Sequence, residues 1–272
     1  MSAIEKLSGR VALVTGAARG VGRATADKLA REGAIVYLND LDAGEVNDAA
    51  AAIGGTALPG DLTQQNVPDQ IVNGVIERSG SLDIVVNNAG YIWNGALHNQ
   101  SDEQWNAMLD IHVTAPFRIL RAYSRWLREQ HRAAAGGAMP CRKVVNVSSV
   151  SGLFGAATQA GYAAGKAAVV GLTRTLAKEW GRYNVTVNAV AFGHIATRLT
   201  QRYDAEPPRI EVAGRSHRVG LSDEQIAQQQ ALTPLQRTGT PDDAANAIYL
   251  FCAPESDFVT GEILVASGGL RL

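Results

Sequence analysis

Short runs of apolar, mostly β-branched residues recur along the chain, separated by longer stretches in which apolar positions follow helical spacing. Such runs are typical of strands that are buried on both faces, because a strand with one exposed face alternates apolar and polar residues. The runs are VALVT (11–15), AIVYLN (34–39), DIVVN (83–87), KVVNV (143–147), VTVNAV (185–190), EILVA (262–266) and the weaker TALPG (56–60). Each of them is predicted to form a strand.

Alternation of these strands with helical segments predicts an α/β fold, in which right-handed crossovers cover both faces of a parallel sheet. Two of the predicted helices are 20–32 and 162–180. We therefore expect a Rossmann-type, doubly wound sheet of about seven parallel strands flanked by helices. The chain, residues 1–272, is predicted to be a single domain, because α/β domains of this length are common.

Two segments interrupt the alternation. Residues 131–142, HRAAAGGAMPCR, are rich in glycine and alanine, and we expect an exposed loop there. Residues 198–238 are polar, contain Pro207 and Pro208, and show no strand pattern. The segment is predicted to be either a mobile lid over the substrate or a plain surface excursion.

Charge and cysteine content narrow the class of partner. The 25 basic and 26 acidic side chains nearly balance, so neither a nucleic acid nor a membrane is indicated, and a small-molecule partner is favoured. Two cysteines, Cys141 and Cys252, give no disulfide framework, and no residues show the spacing of a catalytic metal site. The N-terminus lacks a secretory pattern, so a cytoplasmic protein is expected.

The turn after the first strand, TGAARGVG, contains Gly16, Gly20 and Gly22. Glycines at a strand-to-helix turn let the backbone bend tightly and approach a pyrophosphate, whose charge the helix N-terminus stabilises. The alternative is a turn that only packs the helix against the strand. The strand before the turn and the helix after it favour the phosphate site.

The end of the second strand bears on the choice of dinucleotide. Asp40 lies 20 residues beyond Gly20, where a carboxylate accepts hydrogen bonds from an adenosine ribose. This favours NAD, because the carboxylate repels the 2′-phosphate of NADP. Arg19 is the opposing indication, since its guanidinium can pair with that phosphate. NAD is the first choice, and NADP stays open.

The segment GYAAGK (161–166) places Tyr162 and Lys166 four residues apart, on one face of a predicted helix. A phenol with a pKa of about 10 is a poor acid–base group at neutral pH, and a neighbouring ammonium is expected to lower that pKa. In isolation, the pair would be interpreted as surface residues of an alanine-rich helix.

In this order, TGAARGVG, NNAG (87–90), YAAGK, PLQRTGTPDD and VTGEILVASGG resemble the motifs of the classical short-chain dehydrogenase/reductase family, with similarity to 3-oxoacyl-acyl-carrier-protein reductases. The resemblance implies hydride transfer between a nicotinamide cofactor and a ketone or secondary alcohol. It assigns proton donation to Tyr162 and orientation of the substrate oxygen to Ser149, thirteen residues earlier. Lys166 would tune Tyr162 and hold the nicotinamide ribose.

The same resemblance implies a cofactor site that extends over several strand ends. Its adenine side would follow the TALPG strand, its ribose and pyrophosphate would lie over the NNAG segment, and its carboxamide would meet FGHIAT (192–197). The residues assigned to the cofactor, besides Tyr162 and Lys166, are Gly16, Arg19, Gly20, Val21, Gly22, Asp40, Asp61, Leu62, Asn88, Ala89, Gly90, Gly193, Ile195 and Thr197.

The chain departs from the family pattern at three positions. Phe192 replaces a usual proline, Ser267 replaces a common aspartate, and His112 stands where the catalytic tetrad has asparagine. In the family, the asparagine organises a water beside the lysine, a role partly open to a backbone carbonyl. His112 is therefore predicted to be a fourth catalytic residue with a replaceable side chain, although its imidazole can also donate or accept a proton.

A 3-oxoacyl thioester is the first expected substrate, and a 3-hydroxyacyl-CoA is the second, because histidine at the tetrad position also occurs in relatives of the peroxisomal multifunctional enzymes. Steroid and sugar alcohols stay open. The alternative from another class is a nicotinamide-nucleotide sensor without turnover.

The resemblance also implies a homotetramer with helices around 102–130 and 162–180 at its interface. Arginines between 198 and 218 would either meet an acyl carrier protein or lie in a solvated lid.

Overall fold

The computed structural model describes residues 5–212 and 214–270. Its centre is a seven-stranded, entirely parallel sheet in the order β3-β2-β1-β4-β5-β6-β9. The strands of this sheet are β1 (Val11–Thr15), β2 (Ile35–Asp40), β3 (Thr56–Pro59), β4 (Ile84–Asn87), β5 (Arg142–Ser149), β6 (Val185–Phe192) and β9 (Ile263–Ala266). The predicted doubly wound fold is confirmed, and all seven predicted strands are present.

Helices cover both faces of the sheet. They are α1 (Gly20–Arg31), α2 (Ala43–Ile53), α3 (Val67–Ser79), α4 (Asp102–Leu109), α5 (Ala115–Ala133), α6 (Val150–Phe154), α7 (Ala160–Trp180), α8 (Asp223–Leu232) and α9 (Pro241–Cys252). A π-helical turn, Asp110–Thr114, joins α4 to α5.

Successive side chains of a strand point to opposite faces, and here both faces are buried. Leu13 belongs to a core formed with α3, α5 and α7, and its neighbour Val14 belongs to a core formed with α1, α2 and α9. Burial of each such aliphatic side chain contributes about 1.5–3 kcal/mol. This two-sided burial explains why the strands appear in the sequence as continuous apolar runs.

The order of the strands creates a binding crevice. From β1 the chain winds outward to β2 and β3, and then returns to β4 on the other side of β1 before continuing to β5 and β6. The connections after β1 and β4 therefore diverge at their carboxyl ends, and ligands of doubly wound folds bind at such a switch point.

The structure corrects one expectation about the irregular segments and narrows another. The segment 198–238 contains strands β7 (Arg209–Val212) and β8 (Arg215–Arg218), which pair antiparallel. Both are short and half of their residues are charged, so their apolar pattern is too weak to see in the sequence. The predicted loop 131–142 is shorter than expected, because α5 continues to Ala133 and β5 begins at Arg142.

Candidate active site

One large cavity, of about 1220 Å³, opens at the carboxyl ends of the central strands. Every site residue predicted from the sequence, from Gly16 through His112 and Tyr162 to Thr197, lines this cavity. Residues far apart in the chain are thus brought to one place, at the edge of the sheet where this class of fold binds ligands.

The glycine turn is packed too closely to accept side chains. Gly16 and Gly20 have φ values of +62° and +57°, in the region that favours glycine. A Cβ at Gly22 would lie 2.0 Å from the Gly16 oxygen and 2.5 Å from Nδ2 of Asn88. The Asn88 amide in turn donates to the carbonyl oxygens of Thr15 (2.9 Å) and Gly16 (3.0 Å). The turn and the end of β4 therefore form one rigid unit.

The N-terminus of α1 points from this turn into the cavity and fits the phosphates of a dinucleotide. Its N-cap residue, Arg19, makes no side-chain capping bond, and its first turn contains no acidic residue. Free backbone N–H groups and the positive end of the helix dipole suit an anion.

Thr15 is a supporting residue that the sequence did not reveal. Its Oγ1 accepts from the backbone N–H groups of Asn88 and Ala89, both at 3.0 Å, and lies 3.3 Å from the carbonyl oxygen of Val86. The hydroxyl thereby fixes the NNAG segment beside the glycine turn. Thr15 is the first residue of the TGAARGVG motif, but the motif alone assigns no role to its hydroxyl.

Carboxylates dominate the adenosine end of the cavity. Asp40 accepts from the backbone N–H groups of Ala18 (3.0 Å) and Asp42 (3.2 Å), so it is fixed at the end of β2. The Arg19 guanidinium lies 2.8 Å from Asp42 and 3.2 Å from Glu45. Arg19 is therefore already paired with two acids.

The predicted adenine-side pair lies on the same wall. Asp61 accepts from the backbone and hydroxyl of Thr63, at 2.9 and 2.7 Å, and from the amide of Gln64 at 3.1 Å. These bonds fix the carboxylate within its own turn, and Leu62 beside it is buried.

Tyr162 and Lys166 belong to α7, and their side chains line the end of the cavity opposite the adenosine end. Lys166 is 5% exposed, and its Nζ donates to the carbonyl oxygen of Val147 at 2.8 Å. The same Nζ is 5.8 Å from the centre of the Tyr162 ring. Burial lowers the pKa of Lys166 to about 7.

The pKa of Tyr162 differs from the sequence prediction. Burial raises this pKa, and the neighbouring Ser149 hydroxyl acts in the opposite direction. The expected lowering by Lys166 is not found. A physical reason is that the lysine is itself buried, directed to the Val147 carbonyl and, with its pKa at about 7, charged only part of the time at neutral pH.

Neighbouring hydrogen bonds distinguish the serines at the end of β5. Ser148 donates from Oγ to the carbonyl oxygen of Lys166 at 2.9 Å, which fixes α7 against the strand. The Ser149 Oγ accepts from the N–H of Ser151 at 3.2 Å, makes only a long contact of 3.5 Å to the carbonyl oxygen of Phe192, and lines the cavity. Ser148 is thus engaged in packing, and the Ser149 hydroxyl is the one available to a ligand.

His112 lies in the middle of the π-helical turn and is 2% exposed. Its Nε2 is 2.8 Å from the carbonyl oxygen of Tyr91, and because a carbonyl only accepts, Nε2 carries the hydrogen. Burial, followed by the nearby Lys166, holds the pKa of His112 well below its usual value. The imidazole is therefore neutral and donates through Nε2 to the Tyr91 carbonyl, while its buried Nδ1 has no partner among the described residues.

Two glycines make room for this ring. A Cβ at Gly90 would lie 2.4 Å from Cε1 of His112, and one at Gly165 would lie 2.9 Å from its Cβ. The ring also meets Tyr162 edge-on, with 5.0 Å between ring centres. His112 thus contacts both the NNAG segment and α7.

Comparison with known proteins identifies the family. A family model described as enoyl-(acyl carrier protein) reductase matches residues 16–271. The chain belongs to the short-chain dehydrogenase/reductase family. It is 34% identical to the 3-oxoacyl-acyl-carrier-protein reductase FabG of Vibrio cholerae over 98% of this chain and 99% of that protein. The corresponding reductase of Thermotoga maritima is 32% identical over 97% and 99%.

A relative that is named as a dehydrogenase shows a similar level of identity. The hydroxyacyl-CoA dehydrogenase ChsB1 of Mycobacterium tuberculosis is 36% identical over 96% of this chain and 78% of that protein. Membership of the family makes the protein an oxidoreductase that acts on CH–OH groups with a nicotinamide cofactor. The helices among the described residues are all too short or too polar to cross a lipid bilayer.

Proposed function

We propose that the protein interconverts a ketone and a secondary alcohol on a 3-oxoacyl thioester, in the manner of 3-oxoacyl-acyl-carrier-protein reductases. The observation that carries this proposal is the meeting of Tyr162, Ser149 and buried Lys166 in the same cavity as the glycine turn. The names of the Vibrio and Thermotoga relatives support the acyl thioester.

The side chains divide the work as follows. Tyr162 gives its phenolic proton to the substrate oxygen in the reducing direction, and Ser149 holds that oxygen by a hydrogen bond. Lys166 stabilises the phenolate when protonated and binds the ribose next to the reacting ring. When bound, the nicotinamide ring supplies or accepts the hydride. His112 positions Tyr91 at the edge of the cavity.

Oxidation of a 3-hydroxyacyl-CoA is the second candidate. The Mycobacterium relative carries the name of such an enzyme, and the reaction is the same chemistry in the opposite direction. Steroid and sugar alcohols, and a nucleotide sensor without turnover, are further alternatives that the relatives' names do not favour. The presence of both Tyr162 and Lys166 in the cavity supports an enzyme over a sensor.

NAD is the proposed cofactor in preference to NADP. At the adenosine end of the cavity, Arg19 lies among three carboxylates, Asp40, Asp42 and Glu45. A 2′-phosphate placed there would meet an excess of negative charge, and Arg19 would have to leave two carboxylates to bind it. The 2′-hydroxyl of NAD carries no such charge.

The remaining proposals concern oligomeric state, cellular location and domain organisation. Trp105 of α4 and Phe117 of α5 are 39% and 45% exposed, which supports a homotetramer that buries these helices. Both cysteines are free, which supports a cytoplasmic location. We further propose that residues 1–272 form one domain and that 198–238 closes over the substrate.

A turnover screen tests the proposed function. Purified protein is supplied with NADH or NADPH and with 3-oxoacyl thioesters, cyclic ketones and sugar ketones of similar size. The expected result is preferential turnover of 3-oxoacyl thioesters with NADH. Tight binding of the cofactor without turnover of any ketone would instead favour the sensor, and a preference for cyclic ketones would overturn the acyl substrate.

A further inference from the structure

The hairpin of β7 and β8 is anchored beside the active-site cavity. His217 of β8 is 2% exposed, and its ring lies 4.9 Å from that of Tyr91 and 4.7 Å from that of Trp93. Arg215 donates from Nε to Glu103 of α4 at 2.8 Å. One face of the hairpin therefore packs against the segment that follows NNAG.

The other face carries two arginines that directly oppose each other. Arg209 pairs with Arg218 across the two strands, and Ile210 pairs with His217 on the anchored face. Side chains alternate between faces, so Arg209 and Arg218 project together on the outer face. Like charges that face each other across a pair of strands destabilise it.

The described part of the chain does not neutralise this pair. Neither arginine lies within ion-pair distance of a carboxylate among residues 5–212 and 214–270, although Glu211 shares their face. Arg209 is instead oriented by Ser216, whose Oγ accepts from its Nε at 2.8 Å. Its Nη2 also donates to the Ser216 carbonyl oxygen at 3.5 Å, and the other guanidinium N–H groups are available to an anion.

Arg209 also lines the cavity that contains Tyr162 and Ser149. Arg218 is not among the residues that line the cavity, so an anion held by both arginines would lie at its edge, on a molecule that extends from there toward Tyr162 and Ser149. The phosphates of the cofactor have their own site at the N-terminus of α1. The arginine pair is left for a charge on the substrate.

We propose that Arg209 and Arg218 bind the phosphate of a phosphopantetheine arm that carries the acyl thioester to Tyr162. The proposal rests on the proposed function and specifies its substrate class. Guanidinium groups recognise phosphate oxygens by paired, charge-assisted hydrogen bonds. Coenzyme A and an acyl carrier protein both present this arm, so both sources share the chemistry that the hairpin recognises.

The test compares two substrates that differ only in the phosphate, 3-oxoacyl-pantetheine and 3-oxoacyl-phosphopantetheine. In Arg209→Ala we expect KM for the phosphorylated substrate to rise about tenfold, with kcat nearly unchanged and no change for the other substrate. Arg209→Lys keeps the positive charge, so its KM for the phosphorylated substrate should rise less than that of Arg209→Ala. Arg202→Ala is the matched control, because Arg202 lies in the same segment but is paired with Asp223 at 2.6 Å.

Other outcomes would overturn the proposal. Equal losses on both substrates would make the role of Arg209 structural, and a matching rise in KM for the cofactor would assign the pair to the cofactor. The 3-oxoacyl thioesters of coenzyme A and of an acyl carrier protein then distinguish the source of the arm. Arg209→Ala should lower kcat/KM more for the carrier that is the natural substrate. If wild type turns over no 3-oxoacyl thioester, the proposed function itself fails, and this inference fails with it.

Discussion

The Nε2 atom of His112 lies 2.8 Å from the carbonyl oxygen of Tyr91, so the π-helical turn is bonded directly to the segment after NNAG. The same segment supports His217 of the hairpin through Tyr91 and Trp93. One imidazole thus connects the reacting end of α7 with the wall of the substrate cavity. Because the pKa of His112 is held well below its usual value, this connection does not depend on proton uptake at neutral pH.

Two substitutions of His112 distinguish its hydrogen bond to the Tyr91 carbonyl from its role in core packing. We expect His112→Asn to retain substantial activity, because an amide can also donate to the Tyr91 carbonyl. His112→Leu leaves that buried carbonyl unpaired, and we expect it to impair activity and to cost about 1–3 kcal/mol of stability. The measurements are kcat and KM together with urea unfolding. Full activity in both variants would reduce His112 to core packing.

Removal of the Tyr162 hydroxyl tests its role in proton transfer. We expect Tyr162→Phe to lower kcat about 100- to 10,000-fold, because the substrate oxygen loses its proton donor. The dissociation constant of the cofactor, measured by fluorescence titration, should rise by no more than about tenfold, because the phenol is one of many groups assigned to the cofactor. Tyr183→Phe, outside the cavity, serves as the control. If Tyr162→Phe turned over substrate at the wild-type rate, the phenol would not be the proton donor.

Local signals were sufficient to predict the sheet and much of the site. The strands are continuous apolar runs because both of their faces are buried, and the glycines of TGAARGVG mark the close approach between Gly22 and Gly16. The spacing of Tyr162 and Lys166 places both in the cavity, as a helix requires.

Long-range relationships were not predictable in the same way. The partner of His112 is Tyr91, 21 residues away, and the pair requires both a π-helical turn and a glycine at position 90. The β7–β8 hairpin was missed because only Ile210 and His217 of its paired residues are buried, which is too few for a visible period. The pKa of Lys166 depends on burial that only the assembled fold provides.

The glycine turn can be tested by adding one methyl group. We expect Gly22→Ala to abolish cofactor binding or to destabilise the protein by several kcal/mol, because its Cβ would lie 2.0 Å from a backbone oxygen that cannot easily move. Gly171→Ala is the matched control, since Gly171 is also helical and a Cβ there meets nothing within 4 Å. That variant should gain about 0.5–1 kcal/mol. Isothermal titration and urea unfolding provide the readouts, and unchanged binding in Gly22→Ala would contradict the tight turn.

The carboxylates around Arg19 predict how cofactor preference can be shifted. In the double variant Asp42→Asn, Glu45→Gln, Arg19 is released from both ion pairs, and the ratio of kcat/KM for NADPH to that for NADH should rise about tenfold. Asparagine preserves the N-cap that Asp42 provides to Glu45, so α2 should remain intact. Adding Arg19→Ala should cancel the gain. A ratio that the double variant leaves unchanged would show that Arg19 does not control the choice.

Lys166 predicts a dependence of stability on pH. Burial lowers its pKa from 10.5 to about 7. Below about pH 7 the lysine is charged in both states, and its burial destabilises the folded protein fully. Between about pH 7 and pH 10 the folded protein loses this proton while the unfolded chain keeps it, so the free energy of unfolding should rise relative to that of Lys166→Met. Urea unfolding of both proteins across this range provides the measurement, with Lys178→Met as the exposed control. A difference between wild type and Lys166→Met that stays constant with pH would mean that the buried lysine keeps its ordinary pKa.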